Sequence, residues 1–397
     1  MKSTFDIVIA GAGPAGLLLA SQLQRESSFK VTIVDAGERP AVDVDGEIGL
    51  RVSAIALGSV ERLERVGAWS HIEATRVAAF ERMRVWDASS SADADDGLLF
   101  DAAEFAAPAL GYIVENERVR HAVLNTLNGE QDIIFDTPIV AIDESADGYA
   151  VELDNGRRLQ ADLLIGADGP RSFVRQQVGI ETNDWPYGQM AFVTHLQPSE
   201  PHAATAWQRF LKEGPLGILP LADGRVSIVW STTSDIAEVA LNASDEELAR
   251  QVTIASDYAL GELQPAGPRG AFPLTARHAK AYVKPRVALV GDAAHAVHPL
   301  AGQGANLGLA DADCLARILR DAVAAGEHPG DRPVLRRYER ARKGENATML
   351  HFMTGLNRLF TTDSSVVQEL RSTGMRLFNA SGPLREHVVG VALGTGR

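Results

Sequence analysis

The sequence predicts an α/β fold, in which a parallel-sheet domain built from separate stretches of chain is interrupted by an antiparallel β-sheet domain and followed by a C-terminal helical region. Three observations support this prediction. A βαβ pattern opens the chain, the segments from Trp185 to Phe272 alternate with a period of two, and a buried apolar strand returns at Arg286–Val290. A chain of 397 residues is long enough for two domains with sizeable cores.

Composition and charge narrow the classes of protein to consider. Hydrophobic residues make up 45% of the chain and charged residues 23%, which is ordinary for a globular protein. The formal net charge of −14 argues against a nucleic-acid partner and against adsorption to anionic lipid by charge alone. The one cysteine, Cys314, cannot form an internal disulfide, and its place on an apolar helix face indicates packing rather than reactivity.

The sequence also carries no targeting signal that we recognise. It begins with a strand-like run rather than with the charged and apolar regions of a signal peptide. No apolar run approaches the roughly 18 residues that a membrane-spanning helix needs. We therefore expect a cytoplasmic protein.

Hydrophobic spacing predicts the elements of the N-terminal half. Phe5–Ala10 is a short apolar run that ends at a glycine, which is typical of a buried strand. Ala15–Arg25 has helical spacing and Lys30–Val34 returns to β-branched residues, which completes a βαβ unit. Further predicted elements are a helix from about Ala54 to Val66, a helix at Arg118–Leu127, strands within Val140–Leu153 with a turn near Asp147-Gly148, and a buried strand at Leu163–Gly166.

The middle of the chain has a different hydrophobic pattern. Short alternating segments predict strands at Met190–Leu196, Ala206–Leu211, Leu216–Leu221 and Arg225–Ser231. Beyond them, Asn306–Ala325 and the tail from Leu335 predict helices. The predicted boundaries are 1–75, 101–183 and 280–345 for the parallel-sheet domain, 76–100 and 184–279 for the antiparallel domain, and 346–397 for the helical region.

A first glycine motif lies between the first strand and the first helix. Gly11 permits a tight turn, Gly13 lets backbone approach a pyrophosphate, and Gly16 lets helix and strand pack closely. Asp35 ends the next strand, where a carboxylate accepts hydrogen bonds from a ribose diol. The alternative is a glycine-rich turn in an ordinary αβ unit. Strand, helix and acid together favour a Rossmann-like dinucleotide site, but they do not separate FAD from NAD.

Two later motifs make that choice. Gly166-Ala167-Asp168-Gly169 and Gly291-Asp292 each follow an apolar strand. A carboxylate at the second strand end can bind ribityl hydroxyls, which FAD has and NAD lacks. Glycines at 302 and 304 leave backbone N–H groups free at a helix start, where they can stabilise negative charge on a reduced flavin ring. The alternative reading of this motif is a turn with a capping aspartate.

The residues from His298 to Gly308, followed by Asp311, resemble the signature of a family of FAD-dependent aromatic-ring hydroxylases, and within it of the ubiquinone-biosynthesis hydroxylases. Gly214–Leu221, Gly224–Trp230 and Arg336–Lys343 resemble the same subgroup. The resemblance covers nearly the whole chain in order. It implies a discontinuous Rossmann-like FAD-binding domain with an inserted antiparallel β-sheet substrate domain.

The resemblance also implies which residues serve the cofactor. Residues that match the FAD site are Gly11, Gly13, Ala15, Gly16, Asp35, Arg51, Arg118, Val140, Asp168, Gly291, Asp292, Gly302, Gln303, Gly304, Ala305 and Asn306. Pro299 and His298 belong to the loop that lines the flavin ring and are the catalytic candidates. His298 orients a phenol or passes a proton in this reading, and is a hydrogen-bonded structural histidine in the alternative.

The implied reaction is aromatic hydroxylation with NAD(P)H as co-substrate. NAD(P)H reduces FAD, dioxygen adds at the flavin C4a position, and the hydroperoxide delivers oxygen to an electron-rich phenolic ring. Neither a metal nor a nucleophilic triad is expected. The candidate substrate-binding residues are Phe192, His195, Phe210, Leu219 and Trp230.

Other functions remain open on the sequence alone. A flavoenzyme of the same scaffold with another substrate is one, for instance an isoprenoid-chain reductase, and a flavin-binding scaffold subunit of a biosynthetic complex is another. The resemblance implies a substrate with a polyprenyl tail, a multi-protein ubiquinone-biosynthesis complex and peripheral contact with the inner membrane. The basic stretch Arg332–Lys343 is either a solvated helix face or a docking surface, and His387–Leu393 is apolar enough to pack against a partner.

Overall fold

The structure is a computed structural model of the chain. It describes residues 4–43, 46–94, 97–127, 132–298, 303–362, 365–379 and 381–394. Within these ranges, no helix combines the length and the hydropathy that crossing a bilayer requires.

The strands follow the predicted order. They are β1 (Phe5–Ala10), β2 (Phe29–Val34), β3 (Val52–Ile55), β4 (Ala78–Phe80), β5 (Arg82–Asp87), β6 (Leu98–Asp101), β7 (Gly111–Glu115), β8 (Asp132–Ile134), β9 (Ile139–Ser145), β10 (Gly148–Leu153), β11 (Arg158–Ala161), β12 (Leu163–Gly166), β13 (Thr182–Pro198), β14 (Thr205–Leu211), β15 (Gly214–Pro220), β16 (Val226–Thr232), β17 (Leu263–Ala279), β18 (Val283–Lys284), β19 (Val287–Leu289) and β20 (His295–Ala296).

Helices connect the strands and form the C-terminal part. They are α1 (Pro14–Leu23), α2 (Leu57–Arg65), α3 (Asn116–Leu124), α4 (Phe173–Gln177), α5 (Ser234–Asn242), α6 (Asp245–Ala255), α7 (Gln303–Ala324), α8 (Arg332–Thr361), α9 (Ser365–Asn379) and α10 (Pro383–Leu393).

The first sheet is a parallel sheet in the order β18-β19-β12-β1-β2-β8. β1 pairs in parallel with both β2 and β12, and only β18 runs antiparallel to its neighbour. Its strands are apolar on both faces, as in Ile7, Ile9 and Leu164, which are fully buried. The chain thus returns twice to one sheet from distant positions. This is the discontinuous Rossmann-like arrangement that the sequence predicts.

The second large sheet has the order β20-β17-β13-β16-β15-β14-β5-β6. Most of its pairs are antiparallel, as predicted, while β14 and β5 pair in parallel. α5 and α6 follow β16 and bury one face of this sheet, where Leu248 and Val252 pack with Ile228 and Trp230. The opposite face is turned towards the first sheet's motifs.

Two local predictions need correction. The helix predicted from about Ala54 begins at Leu57, because Val52–Ile55 pairs with β7 as a strand. The sequence reading also missed α5 and α6. α6 carries a usable signal, since the Ser244 side chain accepts a hydrogen bond from the Glu247 N–H at the helix start.

Candidate active site

The first motif forms the turn between β1 and α1. Gly11 has a φ of +106°, and a Cβ atom there would overlap the carbonyl oxygen of Ala167 at the end of β12. A Cβ at Gly16 would overlap the carbonyl oxygen of Gly11. A Cβ at Gly13 would meet nothing, because the space before the start of α1 is open. Two glycines therefore serve packing, and the third leaves room for a ligand.

Asp35 closes this end of the site. Its Oδ2 accepts a hydrogen bond from the Ala12 N–H at 2.5 Å and its Oδ1 accepts one from the Gly37 N–H at 2.7 Å. The guanidinium of Arg120 lies 3.8 Å from Oδ1, and its Nε donates to the Ala12 carbonyl at 2.7 Å. Arg120 lines the cavity described below and was missed by the sequence reading, which chose Arg118 on the same helix.

Arg118 is occupied elsewhere. Only 3% of its side chain is exposed, and its three nitrogens donate to Glu115 at 2.8 Å, to Glu73 at 2.7 Å and to the Asp43 carbonyl at 2.6 Å. No donor of this guanidinium is directed to the cavity. Val140 lies on β9 with 49% of its surface exposed to solvent, and it does not line the cavity either. Neither residue is among the described residues that line the cavity, and their assignment to the cofactor site stays a prediction.

The second motif follows β12. Gly169 adopts a φ of +79°, and Gly169, Pro170 and Arg171 line the cavity. The Asp168 Oδ2 accepts a hydrogen bond from the Val174 N–H at 3.0 Å, whereas its buried Oδ1 has no hydrogen-bond partner. Burial raises the pKa of this carboxyl. Asp168 is not among the residues that line the cavity, so its carboxyl holds the start of α4, and its contact with a cofactor stays a prediction.

The third motif follows β19. Gly291 has a φ of +58°, and a Cβ there would touch Ala15 and Gly308, so α1 and α7 approach closely at this turn. Asp292 is surrounded by protein, yet its side chain is accessible from the cavity that it lines. Burial raises the pKa of Asp292, and the charges of His295 and Arg51 oppose that rise. Arg51 also lines the cavity.

The buried side chain of Asp311 holds the turn at Gly291 in place. It is fully buried and accepts hydrogen bonds from the Gly291 N–H at 3.1 Å, His295 Nε2 at 2.5 Å, Arg342 Nε at 2.8 Å and Asn346 Nδ2 at 3.0 Å. Burial alone would raise its pKa, but His295 and Arg342 hold the pKa of Asp311 below its usual value. His295 is therefore a hydrogen-bonded structural residue.

The start of α7 meets the cavity. Gly304 and Ala305 line it, and the side chain of Asn306 accepts from the Ala56 N–H at 2.9 Å and donates to the Ala54 carbonyl at 2.8 Å. Asn306 thereby fastens the β3–α2 junction to α7. Pro299 and Gly302 lie outside the described residues, as does the side chain of Gln303.

One cavity of about 1270 Å³ joins all three motifs to the second sheet. Its narrow polar end includes Gly13, Asp35 and Arg120. On the sheet, it is lined by Val193 of β13 and Val229 of β16, which are paired neighbours. Further apolar lining comes from Phe80, Met83, Phe100, Leu110, Leu219, Val388, Val389, Ala392 and Leu393.

Of the five candidate substrate residues, Leu219 lines this cavity. Phe192 and Trp230 are cross-strand partners on the opposite face, within the core under α5 and α6. Phe210 stacks on Phe360 of α8 with ring centroids 3.8 Å apart. His195 is fully buried beneath Gly267. The predicted alternation is present, but Phe192 and Trp230 lie on the face that α5 and α6 cover, whereas their neighbours Val193 and Val229 line the cavity.

His298 lines the cavity and is 1% exposed. Neither ring nitrogen has a hydrogen-bond partner among the described residues, and the ring meets Tyr187 edge-on at a centroid distance of 4.7 Å. Burial lowers the pKa of His298 to about 4, so the ring is neutral at pH 7. A neutral imidazole can both accept and donate a hydrogen bond. Within the described residues, this unpartnered ring favours a residue that binds a ligand in the cavity over a histidine satisfied by protein.

These residues fit a flavin dinucleotide. The open space at Gly13 lies at the start of α1, where backbone N–H groups and the helix dipole favour a pyrophosphate. Asp292 is accessible from the cavity, so its carboxylate is available as an acceptor for ribityl hydroxyls. The start of α7 supplies the same dipole to a second part of the ligand.

Comparison with known proteins gives a consistent result. The FAD binding domain family matches residues 4–352. The ubiquinone biosynthesis monooxygenase COQ6 of Rattus norvegicus is 35% identical, over 98% of this chain and 91% of that protein. The 3-demethoxyubiquinol 3-hydroxylase of Escherichia coli K12 is 34% identical, over 98% of both chains. Among solved structures, PqsL of Pseudomonas aeruginosa, a probable FAD-dependent monooxygenase, superposes with a TM-score of 0.77 at 22% identity, covering 94% of this chain and 99% of that one.

Proposed function

The chain belongs to the FAD binding domain family of flavoprotein monooxygenases, and on this premise we propose that it hydroxylates the aromatic ring of a polyprenylated phenol in ubiquinone biosynthesis. It is an FAD-dependent aromatic-ring monooxygenase with NAD(P)H and dioxygen as co-substrates. The observation that carries the proposal is the single cavity that joins the dinucleotide cradle at Gly13 to an apolar chamber on the second sheet. A cofactor and a ring substrate can meet in it.

FAD, when bound, supplies the hydride acceptor and the activation of dioxygen. The chain holds it with groups that the structure places around the cavity. The start of α1 would hold the pyrophosphate, and Asp35 would accept hydrogen bonds from the adenosine ribose. Asp292 would accept hydrogen bonds from the ribityl hydroxyls, and the start of α7 would stabilise negative charge on the ring system.

His298 is the residue that we assign to the phenol. Its neutral ring accepts the hydrogen bond of the phenolic hydroxyl, which orients the phenol and makes its ring more electron-rich for attack on an electrophilic oxygen. The valines of β13 and β16 exclude water from this space. A hydrogen bond at one nitrogen and exclusion of water are the contributions of these side chains.

The apolar lining supports a substrate with a hydrocarbon tail. Phe80, Phe100 and Leu110 present side chains to the same cavity as His298. Burying hydrocarbon against them contributes about 0.8 kcal/mol per methylene group. That the substrate carries a polyprenyl tail, and that this tail binds against these residues, is part of the proposal.

Contact with a membrane or a protein complex stays a prediction. The basic stretch of α8 is already compensated in part, since Arg336 pairs with Glu339 at 3.0 Å and Arg337 with Glu327 at 2.7 Å. These pairs favour the solvated helix face over a docking surface. Support for peripheral lipid contact comes instead from the exposed Leu377 and Val391 near the C-terminus.

Two experiments test the function. In a strain that lacks the protein, mass spectrometry of quinone intermediates should find one accumulating phenolic precursor. With purified enzyme, that precursor should stimulate NAD(P)H oxidation and be hydroxylated. If no phenol stimulated NAD(P)H oxidation, this result would contradict the proposed hydroxylase activity and favour a flavin-binding scaffold subunit.

The assignment of His298 has a test of its own. His298→Ala should lower kcat/KM by about tenfold, the usual contribution of one hydrogen bond to the substrate. Its flavin absorbance should not change, because no other part of the cradle is altered. His71→Ala, at an exposed histidine, is the matched control and should keep full activity. Equal activity in the two variants would remove His298 from the reaction.

A further inference from the structure

We propose that helix α10 is the wall of the substrate chamber that decides how long an apolar tail the enzyme accepts, an inference that rests on the proposed function. The helix lies near the C-terminal end of the chain and carries no motif. Its side chains at Val388, Val389, Ala392 and Leu393 nevertheless line the cavity that holds the cofactor motifs. The sequence reading had given this segment to an external partner.

The inner face of α10 packs where the two sheets of the substrate side meet. Val389 and Leu393 are each 6% exposed and belong to one apolar cluster. That cluster combines residues of the small β3-β7-β4 sheet, such as Phe80, with residues of the large sheet, such as Ala206. α10 therefore closes the gap between the sheets, and removing it would open the chamber from this side.

Two anchors hold the helix there. At its start, Arg385 pairs with Glu104 at 2.8 Å, and its guanidinium lies 5.3 Å from the centroid of the Phe100 ring. At its end, Gly394 adopts a φ of +70° and its carbonyl lies against Gly58 of α2. A Cβ added at Gly58 would overlap the Gly394 carbonyl. The α10 terminus can approach α2 this closely because residue 58 has no side chain.

Ala392 is the position at which the wall can be thickened. Its methyl group is the smallest side chain that α10 presents to the cavity. Ala392 is exposed and lines the cavity, so the ring added by Ala392→Phe has room on the chamber side and narrows the chamber there. Gly58→Ala acts in the opposite sense, because it pushes the end of α10 away from α2 and loosens the wall.

The test measures binding of ring-prenylated phenols with no, one, two or three isoprenyl units to the FAD-loaded enzyme. Binding is followed by flavin fluorescence without NAD(P)H, so that no turnover is needed. We expect the wild type to prefer one tail length. Ala392→Phe should weaken binding of the longer phenols by about tenfold or more relative to the tail-free phenol, a discrimination that one or two methylene groups can produce.

Gly58→Ala should flatten the preference for tail length, with Gly344→Ala as its control. Gly344 lies in α8 and a Cβ there would meet nothing within 4 Å, so this variant should behave as the wild type. Should Gly58→Ala not fold, Ala392→Phe decides alone, because it changes an exposed residue that lines the cavity and adds no volume to a packed core.

The outcomes separate this inference from the proposed function. Equal weakening of all phenols by Ala392→Phe, or no change at all, would overturn the role of α10. Wild-type enzyme that carries FAD but binds none of the phenols would overturn the proposed function instead.

Discussion

The two ends of the cavity are built on different principles. The dinucleotide cradle depends on backbone: Gly11 and Gly16 allow contacts that no Cβ would permit, and Asp35 is held by two N–H groups. The substrate chamber depends on side-chain volume along strands and along α10. Backbone requirements leave local marks in a sequence, whereas a chamber is defined by which strand faces meet in space. A single mutation in the cradle should therefore abolish folding or FAD binding, whereas a mutation in the chamber should lower substrate binding or activity only in part.

The largest effect is expected at the cradle. Gly11→Ala places a methyl group against the Ala167 carbonyl at a positive φ, so the turn between β1 and α1 cannot form as it stands. We expect protein that is colourless or does not fold, measured by flavin absorbance and by thermal unfolding.

Gly13→Ala is the matched control that sharpens this result. A Cβ at Gly13 meets no protein atom and its φ is −73°, so the apoprotein should keep its Tm. FAD binding should still weaken, because the methyl group occupies the space before α1. If Gly13→Ala bound FAD as the wild type does, the pyrophosphate would not lie at this turn.

A smaller effect is expected within one strand of the chamber. Ile228 is fully buried under α5 and α6, and Ile228→Ala should cost about 2 to 5 kcal/mol in the free energy of unfolding. Its neighbour Val229 faces the cavity, and Val229→Phe should keep the Tm within a few degrees while lowering kcat/KM for the phenol. If Val229→Phe lost stability and Ile228→Ala lost only activity, Val229 would be the buried residue and Ile228 the one that faces the cavity.

The third expected effect concerns pH. Burial lowers the pKa of His298 to about 4, and burial with neighbouring positive charges lowers that of His278 to about 4, both from 6.5. The unfolded chain therefore binds more protons below pH 6.5, so stability falls as the pH falls from 6.5 towards 4. His298→Gln should reduce this acid-side loss of Tm by a few degrees. An unchanged slope of Tm against pH would show that His298 is already charged in the fold.

The smallest effect is expected outside the cavity. Val140 is half exposed on β9, so Val140→Ser should change the free energy of unfolding by about 0.5 kcal/mol or less. FAD affinity, measured by fluorescence titration, should not change. A clear loss of affinity would restore the sequence prediction that Val140 belongs to the cofactor site.

The sequence predicted the dinucleotide cradle better than it predicted the substrate chamber. Phe5–Ala10 and Leu163–Gly166 were predicted with the bounds that the structure shows, because buried parallel strands between glycines are distinctive. The three motifs were predicted to converge, and they do line one cavity. Period and turn chemistry are local properties, so they survive in the sequence.

The parts that were missed depend on tertiary context. Arg118 and Arg120 are two residues apart on α3, and only packing decides which one faces the cavity and which is bound by Glu115. Trp230 was preferred over Val229 because large residues suggest a binding surface, but the helices α5 and α6 bury that face. α10 has no chemical motif, and its role depends on where the chain end is placed.

The central claim is that one cavity brings a flavin and a phenolic ring together for oxygen insertion. Turnover of the accumulating precursor with isotopically labelled dioxygen and NAD(P)H tests it most directly. We expect one labelled ring hydroxyl for each NAD(P)H oxidised, with the second oxygen atom released as water. NAD(P)H consumed with the label appearing only in hydrogen peroxide or water would contradict it.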